Sequence, residues 1–357
     1  LEEAEMTREK LSGKARVLFL LLVMITGLFL VVPASAKVSN LKIQCFTAGE
    51  EMERLMQVYI PLVEKLTEGT VKIKEFPVGA LVPLKEVLNA LRSGVIEMAL
   101  VPEGYFAGAI PVCEVAGGLP YAFRSYEEAA FFMWNRGFVE ILQREYAKQN
   151  VHMIPLEVYG AGLMTKEPIK HIEELKGKKI RAFGPLAEWL RECGASTVFI
   201  PGGEVYTALA TGVVDGATWG DAGPMYEFKI HEVLKSYMLP DPILGAWLSI
   251  LINKDVWDKF SPEQRIAIKA ATLAAGNIIY NHTRVIYARA LVDMVKNWRV
   301  QKTVLSEEEQ EKAKELAMKS WDRIAKKDPL NAKVIDMIKA FLGEREVVAK
   351  ITLPYPW

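Results

Sequence analysis

KKIRAFGPLAEWLRECGASTVFIPGGEVYTALATGVVDGATW, residues 178–219, is cut by glycines into short apolar runs and helical runs in strict alternation. Lys178 to Phe183 reads as a strand after the Lys176-Gly177 turn. Leu186 to Cys193 is a helix stopped by Gly194, and Thr197 to Ile200 is a second strand. Glu204 to Thr211 is a helix stopped by Gly212, and Val213 to Trp219 is a third strand that enters a glycine-rich turn. Strand and helix in such short alternation are the mark of a parallel sheet covered by helices.

The same rhythm runs upstream. Leu41 to Phe46 is a strand, and Glu51 to Glu68 carries Met52, Leu55, Met56, Tyr59, Leu62, Val63 and Leu66 at helical spacing. Val71 to Phe76 is a strand, Leu84 to Ser93 a helix stopped by Gly94, and Ile96 to Val101 a strand. Tyr126 to Asn150 reads as one aromatic-rich helix and Val151 to Val158 as extended chain. Downstream, Ala246 to Asn253 is a buried strand. Ser261-Pro262-Glu263-Gln264 opens a long helix that runs to near Trp298, with serine as N-cap, proline at N1 and glutamine closing a capping box. Ser306-Glu307-Glu308-Glu309 forms a second box before a charged amphipathic helix to about Lys326. The Asn281-His282-Thr283 sequon sits inside helical pattern and reads as a chance match.

Composition narrows the function classes. The chain has 357 residues, 51% of them hydrophobic and 25% charged, enough to build a core, and its length suits two ordinary domains or one large one. Lys plus Arg equals Asp plus Glu at 44 each, which argues against a nucleic-acid partner. Cys45, Cys113 and Cys193 are an odd number with no C-x-x-C spacing and read as small buried apolar residues, their disulfide state left open. His152, His171, His231 and His282 show no metal-ligand spacing, so no His/Cys zinc site is expected. At the N-terminus, Arg8, Lys10, Lys14 and Arg16 precede an apolar run from Val17 to Val32 and then Ala34-Ser35-Ala36. That is the layout of a secretory signal peptide cleaved near Ala36, preceded by an upstream extension before Met6. The competing reading is a membrane anchor.

From Lys176 to Pro240 the chain resembles the substrate-binding subunits of TRAP transporters, the tripartite ATP-independent periplasmic family. Leu175-Lys176-Gly177-Lys178-Lys179-Ile180-Arg181 is similar to that family's turn and strand leading to its ligand-binding arginine. Pro201-Gly202-Gly203-Glu204-Val205-Tyr206-Thr207-Ala208-Leu209, followed by Thr211-Gly212-Val213-Val214-Asp215-Gly216, is the family's most recognisable run. The resemblance implies an α/β, two-lobed periplasmic-binding-protein-like fold with long C-terminal helices spanning both lobes. Residues 37–158 and 245–285 would form lobe I, and 159–244 and 286–357 lobe II with the C-terminal helices. It implies a periplasmic monomer, with a dimer left open, that takes a small organic acid to TRAP membrane subunits.

Arg181 ends an apolar strand, where a guanidinium needs a partner and its fork fits a carboxylate. Its partner is either a ligand or a protein carboxylate on the strand alone, and the resemblance favours a ligand. Trp219 and Phe228 follow the third strand as pocket walls, with core packing as the alternative. Phe183, Tyr105 and Tyr159 are further candidates. One branch of the family binds 2-oxo acids or lactate through a metal ion, using a glutamine and a glutamate. Here Gly160 and Thr218 stand at those positions, so no metal and no other cofactor is expected. Asp221 is the nearby carboxylate, either a ligand residue or a cap on a turn N–H. An enzyme is the competing class, but no G-x-S-x-G elbow, P-loop or dinucleotide fingerprint is present. A sensor docking on a receptor kinase would share the binding chemistry and differ in partner.

Overall fold

The computed structural model describes residues 38–352, with side chains described through residue 345. The signal-peptide reading over residues 1–36 therefore lies outside the described residues.

In chain order the strands are β1 (Ser39–Cys45), β2 (Val71–Phe76), β3 (Met98–Pro102), β4 (Val151–Thr165), β5 (Lys179–Arg181), β6 (Ser196–Val198), β7 (Gly216–Thr218), β8 (Ser236–Asn253) and β9 (Gln301–Val304). The main helices are α1 (Gly49–Leu66), α2 (Val87–Ser93), α3 (Tyr126–Asn135), α4 (Phe138–Ala147), α5 (Gly184–Glu192), α6 (Gly202–Ala210), α7 (Ala222–Glu227), α8 (Pro262–Lys296), α9 (Glu307–Lys327) and α10 (Pro329–Thr352). All nine strands join one sheet in the order β2-β1-β3-β8-β4-β7-β5-β6, with β9 beside β8.

The sheet is mixed rather than parallel throughout. β1 and β3 are parallel, as are β5 with β6 and β7, which is what their intervening helices require. The long strands β4 and β8 run antiparallel to each other, β8 antiparallel to β3 and β4 antiparallel to β7, while β9 pairs with β8 in parallel. They cross the middle of the sheet, so each belongs to both halves. Their register is broken between Pro155 and Glu157, between Tyr159 and Ala161, and between Ala161 and Leu163. Such irregularities bend a strand and re-aim its side chains.

Apolar side chains gather in clusters on each side of this seam. Two belong to the half built on β1 and β3; the others belong to the half built on β5 and β7. Helix α8 touches both: Ile268, Ala271, Ala275 and Ile279 pack with β1, and Met294 packs with α7 and the β7 region. Its 35 residues extend about 52 Å at 1.5 Å per residue. Helix α10, which the sequence pattern did not single out, seats Val334, Ile335 and Ile338 in the first half.

Local expectations fail in two places for identifiable reasons. The single helix expected over Tyr126–Asn150 is two, because Gly137 takes φ of 79° and breaks it between α3 and α4. The capping box at Ser261 forms reciprocally with Gln264. The one at Ser306 is half formed: its hydroxyl accepts from Glu309 N–H, but the Glu309 carboxylate turns to Ile172 N–H at 2.7 Å and Lys312 at 2.8 Å. The three cysteines are buried and unbonded.

Gly276 lets α8 lie on β4. A Cβ there would stand 1.8 Å from the Leu156 carbonyl oxygen, and neither backbone can yield. Gly276→Ala should cost at least about 2 kcal/mol by urea unfolding. Gly343→Ala, whose Cβ meets nothing within 4 Å, should be neutral or slightly stabilising. Equal midpoints for the two variants would show that α8 does not depend on this close approach.

Candidate functional site

The chain ends of β1, β3, β5 and β7 converge on one cavity, as expected beyond the carboxyl ends of strands in an open α/β sheet. Phe46 follows β1, Tyr105 follows β3, Phe183 follows β5 and Trp219 follows β7, and all four line it. The central strands contribute Glu157, Tyr159 and Ala161 from the irregular stretch of β4. Thr283 reaches in from α8. The inner cavity has a volume of about 90 Å³, on the scale at which one water needs roughly 10–15 Å³. It therefore suits a compact molecule. A wider mouth outside it is lined by Tyr105, Phe183, Phe199, Trp219 and Phe228.

Arg181 is fully buried, 0% exposed, and lies behind this aromatic wall rather than on it. Its Nε donates to Ile200 O at 3.0 Å and Nη1 to Thr218 O at 2.8 Å. Nη2 is buried without a hydrogen-bond partner. The guanidinium carbon stands 4.7 Å from the Trp219 ring centre, 5.2 Å from Phe183 and 5.9 Å from Phe199, a cation–π collar. Burial disfavours its charge, and the nearby Tyr105 and Tyr159 hydroxyls oppose that, although Tyr105 does not close a well-formed hydrogen bond to Nη2. Among the described residues it makes no ion pair with a carboxylate. The protein salt bridge that the strand left open as an alternative is thus not formed.

The aromatic candidates come together. Tyr105 stacks on Phe183 at 4.9 Å, and Trp219 meets Phe228 at 4.8 Å. Phe228 belongs to the mouth and does not reach the inner cavity. Trp219 is set by α6: a Cβ on Gly202 would stand 2.6 Å from its ring, so the glycine of the Pro201-Gly202-Gly203 run admits the indole.

Asp221 lines the cavity but its oxygens are already engaged. Oδ1 accepts from Gly223 N–H at 3.0 Å, capping α7. Oδ2 accepts from Tyr126 Oη at 3.3 Å and pairs with Arg284. Thr218, too, is committed, its hydroxyl donating to Arg181 O at 3.3 Å. Gly160 offers backbone alone. A hard cation needs several free oxygens, so these positions fit a metal poorly. No cluster of three or more His, Cys, Asp or Glu able to hold a metal occurs among the described residues.

Sequence reasoning missed the charges on the cavity's other wall: Glu51 and Arg54 from α1 and Glu157 from β4. The signal was present. Glu51 falls on the stripe Glu51, Leu55, Tyr59, Val63 that α1 buries, and Glu157 interrupts an apolar strand. A carboxylate in a core position asks for a partner. Arg54 is held by Glu227 through two bonds of 3.3 Å and donates to Thr283 Oγ1 at 3.2 Å.

The family model of DctP, bacterial extracellular solute-binding protein family 7, matches residues 50–328. The chain is 28% identical over 286 residues to a monocarboxylate 2-oxoacid-binding periplasmic protein of Nostoc sp., covering 78% of this chain and 77% of that one. Among solved structures, it superposes with TM-score 0.79 on a TRAP periplasmic solute-binding protein from Chromohalobacter salexigens with bound (S)-(+)-2-amino-1-propanol. That pair is 22% identical, with 89% and 99% of the two chains covered. A TRAP periplasmic solute-binding protein from Pseudoalteromonas atlantica, with bound sodium and pyruvate, superposes with TM-score 0.81 at 17% identity, covering 88% and 97%.

Burial lifts Glu51 and Glu157 from 4.5, and Asp241 from 3.8, each to about 7. A carboxyl raised on folding holds its proton in the folded state after the unfolded chain has lost it. The stability it confers is complete below the unfolded value and is lost as pH rises through about 7. The buried histidines shift the opposite way, but His152, lowered from 6.5 to about 4, has no effect above its unfolded value. Between pH 6.5 and 8 the ligand-free protein should therefore melt at falling temperature. Glu157→Gln should flatten the decline; an unchanged slope in that variant would mean Glu157 is ionised in the fold throughout.

Proposed function

The chain belongs to the DctP family of bacterial extracellular solute-binding proteins, and from that premise we propose that it captures a small organic acid through Arg181 and passes it to the membrane subunits of a TRAP transporter. Proteins of this family are the binding components of transporters, not enzymes. The observation that carries the reading is Arg181 itself. It is a buried guanidinium with two donors fixed by backbone carbonyls, a third without a partner, and no carboxylate to balance its charge.

A ligand carboxylate supplies that balance. The backbone bonds to Ile200 and Thr218 hold the fork before the ligand arrives, so less freedom is lost on binding. Tyr105, Phe183 and Trp219 enclose the carboxylate and exclude water, which strengthens the contact. In this reading the two halves of the sheet close on the ligand across the seam of β4 and β8. Phe228 tightens the mouth against Trp219, and α8 flexes as it follows both halves. The 2-oxo acid bound by the Nostoc relative fits a compact cavity, and the same class is the first to test here. Its carboxylate would rest on Arg181 and neutral donors, without a metal. The protein would act outside the cytoplasm, in the periplasm or its equivalent.

Removing one partner of a buried charge pair costs about 2–5 kcal/mol. Arg181→Ala should weaken binding of a short monocarboxylate, found by thermal-shift screening, by about 30-fold to several thousandfold. Arg181→Lys keeps a charge but loses the fork, and it should also bind more weakly. Calorimetry that finds full affinity in a folded Arg181→Lys protein would take Arg181 out of the site. Exhaustive treatment with EDTA should leave the affinity of the unmodified protein unchanged. A loss restored by calcium or sodium would overturn metal independence.

A further inference from the structure

Capture of a carboxylate leaves two charges of the inner cavity unused. Glu51 and Glu157 both line it, at 7% and 6% exposed. One oxygen of each is held by a threonine: Thr47 Oγ1 donates to Glu51 Oε2 at 2.6 Å, and Thr283 Oγ1 donates to Glu157 Oε1 at 3.2 Å. Glu51 Oε1 and Glu157 Oε2 accept no hydrogen bond from any described residue, and neither carboxylate has a cation within ion-pairing distance. The nearby cations are committed elsewhere, Arg54 to Glu227 and Arg284 to Asp221. A buried carboxylate without a counter-ion is costly, and two on one wall repel each other.

Arg181 has the complementary defect, a buried donor and a positive charge without an anion. Tyr105 and Tyr159 line the same cavity, and both are near enough to Arg181 and Glu51 for those charges to act on them. The cavity therefore has carboxylates with open acceptor positions on its lining and, behind its aromatic wall, a guanidinium with no anion.

We propose that the ligand is a zwitterion, whose carboxylate meets Arg181 and whose protonated nitrogen donates to Glu51 Oε1 and Glu157 Oε2. This rests on the carboxylate reading above and adds the second end of the ligand. A purely anionic acid would leave the two glutamates facing its tail. An ammonium group neutralises them and fills both open acceptor positions. The inner cavity suits a short amino acid or a similar compact zwitterion.

The same contact predicts a proton balance. In the free protein Glu51 and Glu157 stand at about 7 and are partly protonated at neutral pH. A bound ammonium draws both to the carboxylate form and releases protons. The other charged groups facing them are Arg54 from α1, Asp221 and Glu227 at the two ends of α7, and Arg284 from α8. They are already paired with one another.

The test is titration calorimetry of the exported chain with matched probes that differ in the amine: β-alanine against propionate, 4-aminobutyrate against butyrate, and alanine against lactate. Runs in two buffers of different ionisation enthalpy count the protons. At least one amino member should bind tenfold or more tighter than its amine-free partner and release protons at pH 7. Glu51→Gln and Glu157→Gln should each erase most of that preference, the ratio between the amino member and its amine-free partner falling toward one. Equal or tighter binding of the amine-free member in every pair overturns the proposal, as does an amine preference intact in both variants. Proton release is read on the unmodified protein, so its absence overturns the proposal even where a variant fails to fold. An amine preference that EDTA abolishes would assign the carboxylates to a metal instead. Arg181-dependent binding of plain acids without amine preference would sink the zwitterion and leave the carboxylate reading standing. Failure of every probe, or binding indifferent to Arg181, would remove both.

Discussion

The buried guanidinium of Arg181 is the constraint on which the site is built. It comes from the last residue of β5 and bonds the carbonyl of Ile200, just beyond β6, and that of Thr218, the last residue of β7. One side chain thus ties together the ends of three neighbouring strands. The cost of burying its charge is partly offset by the two carbonyls and by the faces of Phe183, Phe199 and Trp219. These are neutral groups, and they leave the positive charge without an anion. The arrangement folds with one guanidinium nitrogen, Nη2, left without a partner.

The opposite wall follows the same logic with charges reversed. Helix α1 lies against α8, and α8 lies against β4, which brings Glu51, Arg54, Thr283 and Glu157 into one group. Arg54 pairs with Glu227 and Arg284 with Asp221, contacts that link α1 and α8 to α7. These pairs are structural. They hold the elements around the cavity in register and leave Glu51 and Glu157 with acceptor capacity to spare. Paired charges fix the frame, while unpaired ones face the space a ligand would occupy.

Much of the fold was legible because it depends on local pattern. Alternating strands and glycine-stopped helices from 178 to 219 appear as β5 to β7 with α5 and α6, and the Ser261 box opens α8 as its residues require. Reading failed where the deciding partner is distant. Gly137 was an ordinary residue of an aromatic-rich helix until its positive φ split it. Glu309 looked like half of a capping box, yet the Ile172 N–H competes for its carboxylate from 137 residues away. The antiparallel insertion of β4 and β8 had no local mark either. Period-two alternation says which face a residue takes and nothing about which strand lies beside it.

By itself the sequence determined the order of elements, the α/β class, the position of Arg181 at a strand end and the aromatic residues that follow the strands. Each of these depends on backbone preference and short-range periodicity, which a few consecutive residues express. The tertiary structure alone decided which charges are matched. It engaged Asp221 with Arg284, placed Phe228 at the mouth, and set Glu157 beside Thr283 across 126 residues of chain. The energy of a charge depends on burial and on the groups within a few ångströms of it. That neighbourhood exists only once distant segments have packed.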